Sequence, residues 1–268
     1  MSSYLINNQR GSGQDGSVSS IPSDAEFALC DGEQNLHSSS QPEGIGGYEI
    51  DRLVVKRVYD KCHPFIMKSV SATALPAEFL AALAANESGG NPKATCFEPE
   101  VYKRLKAVAS GEAPSFGSIT GKDIFAQVSG RPSLTLYRVD EPLSSLDQLP
   151  GATKLLSALE ENELRELATS WGFTQIMGYQ AIARKSAARD LLDPQFHFQM
   201  AVEILTDFSR RFHLRLSQDF EALFRCWNTG HPDGKTFDPD YVTKGMRRMK
   251  LYRELMESSE HRPPVRGR

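Results

Sequence analysis

Apolar residues recur at helical spacing from Tyr48 almost to the end of this 268-residue chain, so its folded part must be built mainly from helices. Ile50, Leu53, Val54 and Val58 mark one face of a first helix. A second begins at Pro76, a residue suited to a first turn. It runs through Phe79, Leu80 and Leu83 to Asn86, and Gly89 and Gly90 then stop it. Val101, Tyr102 and Leu105 give residues 98–108 the same pattern. Helix is expected again over Lys154–Ala168, Pro194–Phe212, Ser217–Trp227 and Asp240–Met256. Residues 110–150 break the rhythm. There Gly and Pro punctuate short runs, Asp123–Val128 and Ser133–Val139, that read as a small hairpin or irregular lobe. The expected fold class is mostly α, of the α+β kind, with that lobe inserted after the second helix.

Charge and composition place the start of the domain. Residues 1–50 hold one basic residue, Arg10, and seven acidic ones, a net of −6 against −3 for the whole chain, which leaves +3 for residues 51–268. The same fifty residues contain 10 serines and 7 of the 20 glycines. Too little apolar surface is available there to offset the entropy of ordering, so residues 1–45 read as a flexible arm. Residues 46–258 then form one helical domain, and 259–268 a Pro- and Arg-rich basic tail that frays. Within the arm, Gly11-Ser-Gly13-Gln-Asp-Gly16 spells a dinucleotide fingerprint, but no strand precedes it and no helix follows, which makes it linker. No apolar run approaches the roughly 18 residues of a membrane span, and no Sec signal is legible. A net charge of −3 gives no electrostatic reason to expect nucleic acid.

Three strings carry chemistry. In Leu75-Pro-Ala-Glu-Phe-Leu-Ala-Ala-Leu-Ala-Ala-Asn-Glu87-Ser88-Gly89-Gly90, a carboxylate sits on the last turn of an apolar helix. The helix dipole and apolar neighbours disfavour its ionised form, which raises its pKa as a general acid requires. A solvated glutamate ahead of a glycine cap is the plainer reading. The second string is Thr169-Ser170-Trp171-Gly172-Phe173-Thr174-Gln175-Ile176-Met177-Gly178-Tyr179. Its aromatics, methionine and amide suit a groove floor that contacts sugar faces and acetamido groups. A helix–helix turn with Trp171, Phe173, Ile176 and Met177 buried is the plainer explanation of the apolar residues. The third is Phe224-Arg-Cys-Trp227-Asn228-Thr-Gly230, where a helix ends in an aromatic–Asn–x–Gly turn that a C-cap alone could explain.

Taken in order, the strings make the chain resemble the lysozyme-like peptidoglycan-cleaving superfamily, in the branch of soluble lytic transglycosylases and goose-type lysozymes. That family joins an apolar helix ending in Glu-Ser-Gly, a Gly-x-x-Gln-Ile-Met segment and a helix ending in Tyr-Asn-x-Gly. Here these are Glu87-Ser88-Gly89, Gly172-Phe-Thr-Gln175-Ile-Met177 and Trp227-Asn228-Thr-Gly230, and the likeness spans residues 48–250. Ser170-Trp171-Gly172-Phe-Thr-Gln175-Ile-Met177-Gly178 and Cys96-Phe97-Glu98 bring it nearer to phage-type N-acetylmuramidases. Two departures stand out. Glu87 and Gln175 are 88 residues apart, so a lobe is inserted or enlarged between them. Trp227 replaces the family tyrosine, and an indole donates but cannot accept, so the phenol contact to the acid is lost or moved to Tyr179 or Tyr241.

The resemblance implies cleavage of the β-1,4 bond between N-acetylmuramic acid and N-acetylglucosamine, with Glu87 as general acid. Glu98 or Glu100 would be the second carboxylate, Glu98 matching the muramidase pattern. Ser88, Gln175, Met177, Tyr179 and Asn228 would bind substrate. Hydrolysis and transglycosylation to 1,6-anhydro ends both remain open, as does a wall-binding module without turnover. The partners implied are peptidoglycan glycan strands and, for a secreted toxin, a protein inhibitor filling the groove. The chain is read as a monomer that needs no cofactor or metal. It would act on the cell wall, in the periplasm or outside the cell, after release as a phage lysin or export by a non-Sec route.

The remaining reactive side chains read as ordinary. No histidine pairs with Cys, Asp or Glu at zinc spacing, and His197 and His213 fall on helices as packing or partly exposed residues. Adjacent Cys62 and His63 point about 100° apart on a helix and cannot act as a pair. Four cysteines, Cys30, Cys62, Cys96 and Cys226, are too few and scattered for a disulfide framework and read as buried thiols. Arg247-Arg248-Met-Lys250 reads as a solvated basic helix face.

Overall fold

The computed structural model describes residues 47–129 and 161–260. The arm at 1–45, the run Ser133–Val139, most of the expected lobe and the tail from His261 lie outside the described residues. What is described is mostly helical, with a small sheet.

Helix α1, Gly47–Val70, buries Asp51, Val54, Val55, Val58, Cys62, Ile66 and Val70, a stripe repeating every three or four residues. Leu53 does not belong to it: it is 60% exposed, because it sits one position off the stripe that Val54 and Val58 define. Helix α2, Ala77–Ser88, follows Pro76 as its N-cap and is buried from Ala77 through Asn86. A helix apolar on all sides needs neighbours on all sides. Helices α1, α6 (Pro194–Phe212) and α8 (Tyr241–Glu260) pack around it, and its Phe79 meets Phe220 and Phe224 of α7 (Phe220–Thr229). Phe79, Phe198, Phe224, Trp227 and Tyr252 are the large side chains at the centre of this core.

A second, smaller core covers the other end. It is formed by α3 (Pro99–Ala109), α4 (Gly121–Ser129), a helix over residues 161–167 (α5), and the residues Met177 and Tyr179. Between the two cores runs a three-stranded antiparallel sheet in the order β1 (Thr95–Phe97), β4 (Thr169–Trp171), β5 (Ile176–Met177). Cys96 lies opposite Ser170, and Ser170 opposite Met177.

The hairpin expected near Asp123–Val128 is displaced. The chain forms a short hairpin earlier, β2 (Ser115–Phe116) with β3 (Ile119–Thr120), and 121–129 is helix. The reason is a cap. The Thr120 backbone N–H and hydroxyl donate to Asp123 Oδ2 at 2.8 and 2.7 Å and start the helix there. Helix α6 starts where Asp193-Pro194 predicts, with the Asp193 carboxylate accepting from the Phe196 N–H at 2.8 Å. Two 3₁₀ segments, Gly178–Arg184 and Ala188–Leu192, connect the sheet to α6 and had no counterpart in the periodicity. Among the described residues, no helix is long and apolar enough to cross a membrane.

Candidate active site

Glu87 occupies the last turn of α2, half-buried, just before Gly89 closes the helix in the left-handed conformation. Two guanidinium groups reach the carbonyls of this helix end. Arg57 Nη1 donates to Gly89 O at 3.1 Å, and Arg248 Nη1 donates to Ala85 O at 2.9 Å. Both cations offset the dipole that the sequence reading took as the field acting on Glu87. The carboxylate itself receives the phenol of buried Tyr241, whose Oη donates to Glu87 Oε1. Tyr241, one of the two tyrosines considered for a phenol contact to Glu87, makes that contact.

The three sequence strings meet at one turn, between β4 and β5. Ser88 Oγ donates to Phe173 O at 2.7 Å, and the indole Nε1 of fully buried Trp227 donates to Thr174 O at 3.1 Å. Trp227 therefore holds the turn, while Tyr241 holds the acid. From the other side, the Thr174 N–H donates to His197 Nε2 at 2.9 Å, and Nδ1–H of that ring donates to Leu191 O at 2.9 Å. The ring is neutral: complete burial pushes its pKa down to about 4. It also explains Gly172, whose φ is +70°. A Cβ there would lie 2.8 Å from His197 Nδ1 and 2.9 Å from Leu191 O. Gly178 is just as constrained, since a Cβ would lie 2.2 Å from Glu166 O.

Several residues assigned to substrate binding have other work. The Gln175 amide is saturated: Nε2 donates to Gly172 O at 2.8 Å and Ala94 O at 3.2 Å, and Oε1 accepts from Ser170 Oγ at 2.8 Å. It pins its own turn, at φ +54°, to the segment entering β1. Met177 and Tyr179 are not a groove floor. Both are buried in the small core, Met177 from the end of β5 and Tyr179 from the 3₁₀ segment that follows, with the Tyr179 ring edge-on to Phe116 at 5.2 Å. Trp171, Phe173 and Ile176 are buried as well. Ser88 bonds to the protein backbone. Asn228, half-buried on the last turn of α7, has a side chain that no hydrogen bond from the described residues engages, and Gly230 takes the left-handed cap. It is the residue of the set with an amide left for a ligand.

Glu98 is 7% exposed, at the N-cap of α3 but without a capping hydrogen bond from its side chain. Burial raises its pKa above the ordinary carboxylate range. Glu100, two residues on, is exposed and paired with Lys103 at 2.6 Å.

Around the helix end lies an ion cluster that no motif announced. Asp51, 2% exposed, receives Nε of Arg248 at 2.8 Å and is also bonded by Arg247. The basic run of α8 is thus not a solvated face at these two positions; burying Asp51 required cationic partners. Cysteine usage also differs from expectation. Cys62 and Cys226 are buried free thiols pushed up to about 12 by desolvation, whereas Cys96 is disulfide-bonded, a pairing that count and spacing alone did not reveal. Among the described residues, no cluster of His, Cys, Asp and Glu could hold a metal ion. Compared with family models, with curated proteins and with solved structures, the chain matches none of them.

Proposed function

We propose that this chain cleaves the β-1,4 linkage between N-acetylmuramic acid and N-acetylglucosamine in peptidoglycan, with Glu87 as the general acid. The supporting observation is the placement of Glu87. A carboxylate on the last turn of a buried apolar helix is held by a buried phenol, next to a turn onto which Ser88 and Trp227 of the other two strings converge. Glu87 gives its proton to the glycosidic oxygen as the C1–O bond breaks. In hydrolysis, water adds to C1 and loses its proton to a base. In transglycosylation, the muramic 6-hydroxyl closes on C1 and its proton returns to Glu87. Asn228 is the amide placed to bind an acetamido or hydroxyl group.

The burial of Glu98 favours transglycosylation as the second reading, because a carboxyl so enclosed offers little surface to an attacking water. Mass analysis of fragments released from purified peptidoglycan tests both. Reducing muramic ends indicate hydrolysis and 1,6-anhydro ends indicate ring closure. Release of neither by the wild-type protein refutes the proposal. The substrate lies outside the cytoplasmic membrane, so the same reading carries export or release to the wall and, for a toxin, an inhibitor occupying the cleft.

A further inference from the structure

The hydrogen bonds around Asp51 form one continuous path that ends at Glu87. Arg248 lies between two acceptor sets: Nε donates to Asp51 Oδ1 at 2.8 Å, and Nη1 donates to both Ala85 O and Asn86 Oδ1 at 2.9 Å. A guanidinium can only donate, so it fixes the Asn86 amide with its oxygen toward Arg248. The Asn86 nitrogen must then face the other way, and Nδ2 donates to Tyr241 O at 3.0 Å. Tyr241 is therefore gripped at both ends by consecutive residues of α2: its carbonyl by Asn86 and its phenol by Glu87. Its ring stands edge-on to Phe224 at 6.2 Å, which leaves it little freedom to turn.

We infer that Asn86 and Arg248 are positioning residues which set the orientation of the Glu87 carboxyl through Tyr241. Two physical points favour this over a purely architectural role. Buried ion clusters are generally replaceable by apolar side chains at little cost in stability, so stability alone does not call for one here. Besides Nε, which is spent on Asp51, Arg248 directs Nη1 at Ala85 O and Asn86 Oδ1 on the last turn of α2, the turn that carries Glu87. The inference rests on the proposed role of Glu87 for its meaning in catalysis, but the linkage itself can be read without turnover.

The test is the carbon-13 resonance of the Glu87 side-chain carboxyl, assigned by its loss in Glu87→Gln and measured at one pH. Tyr241→Phe removes the donor and defines the full displacement. Asn86→Asp keeps an acceptor for Arg248 but puts a second oxygen against the Tyr241 carbonyl. It should move the Glu87 resonance in the same direction, by at least half as much. The double variant should go no further than Tyr241→Phe alone, because residues acting through one another are not additive. Arg248→Lys, which cannot span Asp51 and Asn86 together, should follow Asn86→Asp. Arg253→Met breaks the Glu78 pair at the far end of the same two helices and should leave the resonance in place. On solubilised glycan, Asn86→Asp should lower kcat by about 10–100-fold with KM nearly constant, the pattern of a misplaced acid. An unmoved resonance in Asn86→Asp, or additive displacements in the double variant, overturns the inference. If the wild-type protein releases no wall fragments, the proposed function fails, and the resonances still decide whether the linkage exists.

Discussion

Glu87 and Gln175 show how differently two residues of a shared resemblance can be used. Glu87→Gln keeps volume and hydrogen-bonding reach but removes the transferable proton. Wall cleavage should fall by about 10²–10⁴-fold while binding of wall fragments persists, as measured by fragment release and by sedimentation with purified wall. Wild-type turnover by this variant would remove Glu87 from the mechanism. Gln175→Ala should do something else. Its amide makes three bonds to the protein, and truncation leaves the buried carbonyl of Gly172 and the buried hydroxyl of Ser170 to weaker bonds of 3.4 Å, from the backbone N–H of residue 175 and to Cys96 O. A loss of about 1–3 kcal/mol in denaturant unfolding is expected, not the near-neutral effect of a pure binding residue. Asn228→Ala, by contrast, should weaken glycan binding and leave the unfolding midpoint nearly unchanged, since no hydrogen bond to the described residues is lost. The sequence placed Glu87 on the last turn of an apolar helix because that is a local pattern. It could not separate Gln175 from Asn228, because what a side chain bonds to is decided by residues such as Ala94, which lies 81 positions away from Gln175.

At the scale of elements, most helices were legible and the connections between them were not. Periodicity located α2, α3, α6, α7 and α8 to within a few residues and the start of α1, whose length to Val70 it did not give, because each must bury one stripe or more against a core. It misread 123–128, where the short apolar run Ile124–Val128 fits strand or helix equally and the deciding signal was Thr120 with Asp123. Thr120→Ala and Asp123→Ala should each cost about 1 kcal/mol and melt the first turn of α4, detectable by thermal unfolding and by amide shifts confined to residues 119–125. The 3₁₀ segments had no apolar period to betray them. The three strings, grouped in sequence by their order, make contact at the β4–β5 turn. What order could not supply was the partner of that turn on α6, His197, since a buried imidazole looks in sequence like any other helical histidine.

For the whole molecule, His197 sets a limit on the acid side. Its folded pKa is depressed to about 4 from the ordinary 6.5, so the unfolded chain binds the proton more readily. Stability contributed by the neutral ring is therefore complete above about pH 6.5 and is lost as pH falls from there toward 4. The total is about 3 kcal/mol, at no more than about 1.4 kcal/mol per pH unit. Urea unfolding at a series of pH values should show this slope, and His197→Gln should flatten it while lowering stability at pH 7. An identical slope in the variant would assign the acid sensitivity to other groups.

The anchorage of the β4–β5 turn has a consequence for hydrogen exchange. Surface turns ordinarily trade their amide protons with solvent within seconds, through small openings that cost little. The Thr174 amide, however, is bonded to an enclosed ring on α6, and the carbonyl of the same residue is bonded to the indole of α7. Releasing that proton means separating two helices of the large core. Thr174 should therefore exchange as slowly as the centre of α2, in step with global unfolding, although it sits in a connection only four residues long, Gly172 through Gln175. A turn built this way is rigid, and its geometry is inherited from the core.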